Sequence, residues 1–582
     1  MNTHKKLIAL LFTLTFIAAI YAKQPQVYIW PRNSEINLPT AIEKFMFLEI
    51  PACNKGERLE LKINMPDGLT VKNFPRAFSS MVLPHKNRCI YPQRFSAEKN
   101  VYTLIFPEAP EKDESHKFLC MTVSVNTTPG KHQMTVDGYI NGKKSFSKMF
   151  RLKIHAPLSA KQPAKMTVGV YDYAGLEEEY IPILMNMLKQ AGVNAVYHMH
   201  GEKKGKKSTA DFAEKYGMRN ALVFFTYDVV NFYKYRKLPL NVTKNDLGSI
   251  NALLDKPEAL KIMVREFFNA AFNKKNYSCV VYDAENGPFS KLGGDRSPYC
   301  IEQFRKAAGI PATEEITAHT IATKHRTAFV KYQCGLTARF AKLVRDVLDD
   351  HFPDFRYEVY SGYEVDNGPN KNITRERYAV DWKTLADTGF DYATAGYFGS
   401  TSLIRNTAEA VSGKAMFIPA EMYIDGFKCK EHFSRTPDAW SVRLLNSILN
   451  SDRQGIMFWY ANVLDGNALI AIDRISNLLC KTEDFFLNGE LDNNAVIVKP
   501  VAMKNNCYVL KQGGSICIFL LNPGKEPKNC RVVLKDFKTT NYTGGIIIQD
   551  IITEQQIPAA KTLKVKIPAN GFRVIHVYND GN

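Results

Sequence analysis

The sequence predicts an α/β protein in which a (β/α)8 barrel, a TIM barrel, stands between an N-terminal immunoglobulin-like β-sandwich and a small C-terminal β-sandwich. Three observations predict it. Eight short apolar segments alternate with helical stretches across the middle of the chain, as βα units do. Short alternating strands separated by turn residues replace that pattern on both sides. No glycine-rich nucleotide loop follows any of the eight segments, which places the barrel ahead of an open doubly wound sheet. With 582 residues, 45% hydrophobic and 23% charged, the chain can fill several cores, and neither a lone small module nor wholesale disorder fits.

The elements follow in chain order. Lys5-Lys6, an apolar run over 7–20 and then Tyr21-Ala22 read as a secretory signal spanning 1–22. Lys23 stands at the cut, so a lipoprotein anchor is not indicated. No later apolar run reaches spanning length, and the expectation is an exported protein, periplasmic or extracellular, with no membrane span after cleavage. Residues 23–157 carry the alternating segments 58–64, 101–106 and 117–125 and the closing hairpin 128–142 followed by 150–154. A polar linker at 156–163 leads into the barrel, 165–485. Its strands are placed at 167–171, 194–198, 221–225, 279–282, 356–360, 392–395, 415–419 and 455–459. The clearest helix covers 327–350, where apolar residues recur at three- and four-residue steps. Residues 493–582 return to short strands, 515–522, 531–534 and 563–568, as in the small sandwich that often follows a glycosidase barrel.

Formal charge is +18, from 76 basic and 58 acidic side chains. The basic residues are scattered, and the one dense cluster, 203–207, reads as a solvated loop. Such a balance fits an acidic partner; an anionic polysaccharide suits it, and export disfavours nucleic acid. The 11 cysteines form no CxxC pair and no Cys/His cluster of zinc type. Most are expected to be buried and free, with one disulfide among Cys507, Cys517 and Cys530 left open.

In a barrel the chemistry gathers where strands end and βα loops begin. Those positions here hold Asp172 and Tyr173, His198 and His200, Asp228, the run Asp283-Ala-Glu285-Asn286, Tyr363, Tyr397, Glu421 and Trp459. Cleaving a glycosidic bond needs two carboxyl groups, one to protonate the leaving oxygen and one to attack or to activate water. Glu285 after the fourth strand and Glu421 after the seventh resemble the acid/base and nucleophile of clan A glycoside hydrolases. Trp459 resembles that clan's tryptophan beneath the sugar, and Tyr397 its tyrosine beside the nucleophile. The clan's asparagine before the acid/base is Ala284 here, so the sugar 2-hydroxyl would need Asn286 or Asp283 instead. The resemblance implies a retaining two-glutamate hydrolase of a poly- or oligosaccharide, with no cofactor and no metal. Asp172, Tyr173, His198, His200, Asp228, Asp283, Asn286, Tyr363, Tyr397 and Trp459 then become candidates for binding sugar.

Three other readings compete. Asp283-Ala284-Glu285 also resembles the end of the Asp-x-Asp-x-Glu run of chitinase-like barrels, where the aspartate positions a substrate acetamido group as internal nucleophile; Val281 replaces the first aspartate. His198 and His200 could hold a metal as in amidohydrolase barrels, but no histidine lies on the fifth or sixth strand to complete the set. A barrel that binds carbohydrate without cleaving it is the third, since fold alone does not fix function. Two carboxyl groups facing one mouth separate catalysis from binding.

Overall fold

A computed structural model describes residues 27–30, 35–51, 56–75, 91–106, 117–172, 176–199, 207–236, 239–285, 295–362, 373–396, 400–422, 435–459, 461, 464–535 and 546–579. The signal-like segment 1–22 lies outside them. Among the described residues no helix is long and apolar enough to cross a membrane.

The N-terminal part is two facing sheets, one of four strands and one of six. Period-two alternation builds the core between them: Leu59, Leu61 and Ile63 are fully buried while Glu60 and Lys62 face outward. The anticipated closing hairpin is present as Gly130–Ile140 paired with Lys143–His155.

Eight parallel strands then close into a barrel: β1 (Thr167–Asp172), β2 (Ala195–Met199), β3 (Arg219–Phe224), β4 (Cys279–Asp283), β5 (Arg356–Ser361), β6 (Tyr392–Ala395), β7 (Met416–Met422) and β8 (Gly455–Trp459). All eight lie where the alternation of strand and helix places them. One end differs usefully. Pro419 reads as a strand terminator, yet β7 runs on to Met422, with Ala420, Glu421 and Met422 in register with Met457, Phe458 and Trp459 of β8. Five helices of the outer ring matter below: α1 (Thr226–Arg236), α2 (Arg326–His351), α3 (Thr401–Val411), α4 (Pro437–Leu449) and α5 (Gly466–Asn488).

Alternation decides which side chains enter the barrel. Tyr171, Tyr197, Tyr360 and Trp459 fill one interior layer, with Tyr171 stacked on Trp459 at 4.1 Å and 9° and Tyr360 at 4.8 Å from the same indole. Below this layer Glu358 is fully buried, accepting from Tyr197 Oη at 2.9 Å and paired with Arg356. Thr394 Oγ1 reaches its other oxygen at 3.4 Å. Counting by twos from these anchors, Cys279, Val281 and Asp283 of β4 point inward, as do Ile418 and Ala420 of β7. Phe417 and Glu421 point out toward the helices.

The helix that follows the last barrel strand, α5, touches every part of the molecule. Gly466 at its start lies so close to the Asn37 carbonyl of the N-terminal sandwich that a Cβ would collide with it. Asp473 accepts from the backbone N–H groups of Ser159 and Ala160 at 2.7 and 2.9 Å, and Glu483 from those of Lys165 and Met166 at 2.7 and 2.6 Å. Near its end Phe486 packs on Phe519 of the C-terminal sheets at 5.1 Å. Those sheets hold six and three strands. Cys507, Cys517 and Cys530 are buried there and free, so the open disulfide is not formed.

Candidate functional site

The fourth strand delivers the most unusual group in the barrel. Asp283 is the last residue of β4, paired in register with Tyr360, and it is 1% exposed. Among the described residues neither of its carboxylate oxygens has a hydrogen-bond partner. A buried polar group without a partner costs stability, so its retention marks a task other than folding. Burial pushes its pKa well above the carboxylate range; the Glu285 and Asp228 charges add to this, and the Glu285 backbone N–H, outside bonding geometry, opposes it.

Glu285, two residues beyond the strand end and partly exposed, is close enough for its charge to act on Asp283. Ala284 between them turns outward into the helical layer, its N–H still bonded to the Tyr360 carbonyl at 2.9 Å. The charge of Glu285 disfavours ionisation of Asp283 and adds to the effect of burial.

The third strand contributes Asp228. It sits in the first turn of α1 and accepts from the Phe225 backbone N–H at 2.8 Å, which positions the helix start. Burial raises its pKa to about 7, with the Phe225 N–H pulling the other way. Next to it Tyr227 is 43% exposed and stacked on Phe225 at 4.9 Å, an aromatic face beside the carboxyl cluster. Sequence reading passed over Tyr227; its signal was its place between a strand end and Asp228. The floor of the mouth is the Tyr171, Tyr360 and Trp459 layer. Trp459 is 1% exposed and its face is covered by Tyr171, so it packs the barrel in this state.

Two groups of expected site residues stand elsewhere. Glu421 is inside β7 rather than beyond it, and it faces outward: Arg443 Nε and Ser447 Oγ, one helical turn apart on α4, each donate to it at 2.7 Å. Its carboxylate ties strand to helix and does not face Glu285 across the mouth. Asp172 and His198 also turn outward, bracketing the buried Thr209; Asp172 bonds the Thr209 hydroxyl, His198 Nδ1 lies 3.3 Å from it and 3.7 Å from Asp172. They hold a short helical turn against the barrel wall and face the helical layer rather than the lumen. Tyr173, His200, Asn286, Tyr363 and Tyr397 fall outside the described residues. Among the described residues no group of three or more His, Cys, Asp or Glu is arranged to hold a metal ion.

No family model matches the sequence, and no curated protein matches it. Solved structures similar to the chain include glycoside hydrolases. A family 39 glycoside hydrolase from the gut symbiont Bacteroides cellulosilyticus WH2 shows 11% identity and a TM-score of 0.38, covering 95% of this chain and 100% of its own. A GH30 endoxylanase from Clostridium papyrosolvens C71 shows 10% identity and a TM-score of 0.36 over 72% of this chain and 98% of its own. An alpha-amylase from Geobacillus thermoleovorans shows 8% identity and a TM-score of 0.39 over 70% and 93%. Similarity at this level transfers neither a substrate nor a residue's role.

Proposed function

We propose that the protein is an exported glycoside hydrolase whose chemistry centres on Asp283 and Glu285, and that its substrate carries a 2-acetamido group. The observation that supports this is the buried Asp283 carboxyl group, inward-facing at the strand end and without a hydrogen-bond partner among the described residues, with the charge of Glu285 acting on it. Glu285, the more exposed of the two, donates a proton to the leaving oxygen. The acetamido carbonyl oxygen attacks the anomeric carbon from the other face as the glycosidic bond breaks. Asp283 accepts a hydrogen bond from the acetamido N–H and offsets the positive charge that develops there. Glu285, now a base, takes a proton from water as that water opens the cyclic intermediate, and configuration is retained. The two-glutamate route would instead need Glu421 within the mouth, and its bonds to Arg443 and Ser447 argue against that. Export rests on the basic and apolar pattern of residues 5–22.

Purified protein should hydrolyse aryl 2-acetamido-2-deoxyglycosides and leave the corresponding aryl glycosides, which lack the acetamido group, uncut. Cleavage of both with equal efficiency would overturn the substrate-assisted reading and return the search to a protein nucleophile.

A further inference from the structure

A large cleft is remote in sequence from the β4 carboxyl pair. It encloses about 1190 Å³ between α3, α4 and the C-terminal sheets. Two kinds of group line it. One is neutral and polar: Arg405 donates to Asn450 at 2.7 Å, Asn450 donates to Tyr508 at 2.8 Å, Tyr508 donates to Asn446 at 3.1 Å, and Asn446 donates to Thr401 at 2.8 Å. This chain of bonds fixes amide and hydroxyl groups from the barrel and the sandwich in one wall. The other is cationic: Arg405, Arg435, Arg443 and Lys504 all reach the cleft.

The positive charge is poorly balanced. Arg443 is neutralised by Glu421. Among the described residues no carboxylate lies within ion-pair distance of Arg435; its guanidinium lies over the Trp440 ring at 5.1 Å, under the like charge of Arg443 and, more weakly, the opposite charge of Glu421. Arg405 is held by an amide rather than an acid. Glu409 and Asp452 are the acidic residues of the lining, and Asp452 is engaged by the Phe417 N–H at 2.6 Å. Guanidinium groups held in place by neutral partners suit bidentate recognition of an anionic oxygen pair. The lining offers no exposed aromatic face on which a nucleobase could stack, since its one aromatic residue, Tyr508, is 5% exposed.

We infer that this cleft binds an acidic glycan, with Arg405 and Arg435 on a carboxylate or sulfate substituent and the asparagine and hydroxyl wall on neighbouring sugar hydroxyls. The inference takes from the proposed function only that the ligand is a sugar chain, and it concerns a second site. A glycan held there would keep the enzyme on a charged polymer between cleavage events.

Calorimetry on the full chain with three tetrasaccharides of equal length, one of uronate units, one sulfated and one neutral, tests it. Either anionic chain should bind, more weakly as salt rises, and the neutral one about tenfold or more weaker. The double variant Arg405→Gln, Arg435→Gln should lose a similar factor, as should Ser402→Glu, which adds a negative charge at the exposed rim; thermal melting checks that both are folded. The Asp283→Asn chain should bind as the parent does, so a failed hydrolysis assay leaves this result standing. Equal affinity for all three chains, unchanged affinity in both charge variants, or binding of inorganic sulfate as tight as that of either anionic glycan would overturn the inference.

Discussion

Asp283 and Glu358 are both acidic side chains inside the same barrel, on adjacent strands, and both are almost wholly buried. Their surroundings are opposite. Glu358 has Arg356, Tyr197 and Thr394 around it, while Asp283 has no hydrogen-bond partner among the described residues and the charge of Glu285 nearby. A carboxylate with every oxygen satisfied stabilises the barrel it sits in. A buried one left without partners is a cost the fold carries, and it is available to a ligand. The contrast separates structure from chemistry within one lumen, and it can be broken experimentally at each end.

The largest effect is expected at the unpaired end. Glu285→Gln and Asp283→Asn should each lower kcat/KM by about 10²–10⁴-fold, the range for losing a general acid or its partner. Asp283→Asn should also leave the unfolding midpoint unchanged or raised, because it removes a charge that burial disfavours. A large stability loss in Asp283→Asn would place it with Glu358 and end the distinction.

At the paired end the effect is on folding. Arg356→Met leaves Glu358 buried without its cation and should cost about 3–5 kcal/mol in denaturant unfolding. A loss near zero would mean that Tyr197 and Thr394 suffice. Glu421 offers an intermediate case: Glu421→Gln should lower unfolding free energy by about 1–3 kcal/mol, because Arg443 loses a charged partner, and should leave turnover near the parent's. Turnover abolished in a folded Glu421→Gln protein would restore it as nucleophile.

The smallest effect concerns Asp228. Its folded pKa of about 7 lies above the ordinary carboxylate value, so the folded chain keeps a proton that the unfolded chain gives up. Its contribution to stability is therefore fullest below the ordinary carboxylate range and is lost as pH rises toward 7. Asp228→Asn keeps an oxygen for the Phe225 N–H and removes the titration. Its melting midpoint should exceed the parent's at pH 8 and match it near pH 4; an equal gain at both values would point to a cause other than ionisation.

How much of this was legible in the sequence depended on the kind of pattern involved. Strand positions were, because apolar runs bounded by helices leave little freedom in a parallel barrel. Side-chain direction at the strand ends was not. Parallel barrel strands are buried on both faces, so 415–419 and 167–171 show no polar alternation from which to count parity. Pro419 added to this by resembling a stop, which put Glu421 in a loop where it could face anywhere. The i, i+4 pair Arg443 and Ser447 that holds it lies on the following helix, and nothing in the spacing connects them to β7 until the register is known. On β4 the same lack of polarity did no harm, since Asp283 closes the strand and Glu285 follows two residues later, so both stay at the strand end. The cleft beside α3 and α4 was illegible for another reason: its residues come from six separated segments, and only the overall basic charge hinted at it.

The helix α5 touches the N-terminal sandwich through Gly466, clamps the 156–163 connection and the start of β1 through Asp473 and Glu483, and meets the C-terminal sheets through Phe486. The linker that composition marks as a tether is therefore strapped down along the barrel's own last helix. Someone trimming the gene to a minimal catalytic fragment at residue 165 would strip α5 of its covering strand and leave Asp473 with no amide to hold. The places where composition changes along this chain are not places where it can be cut.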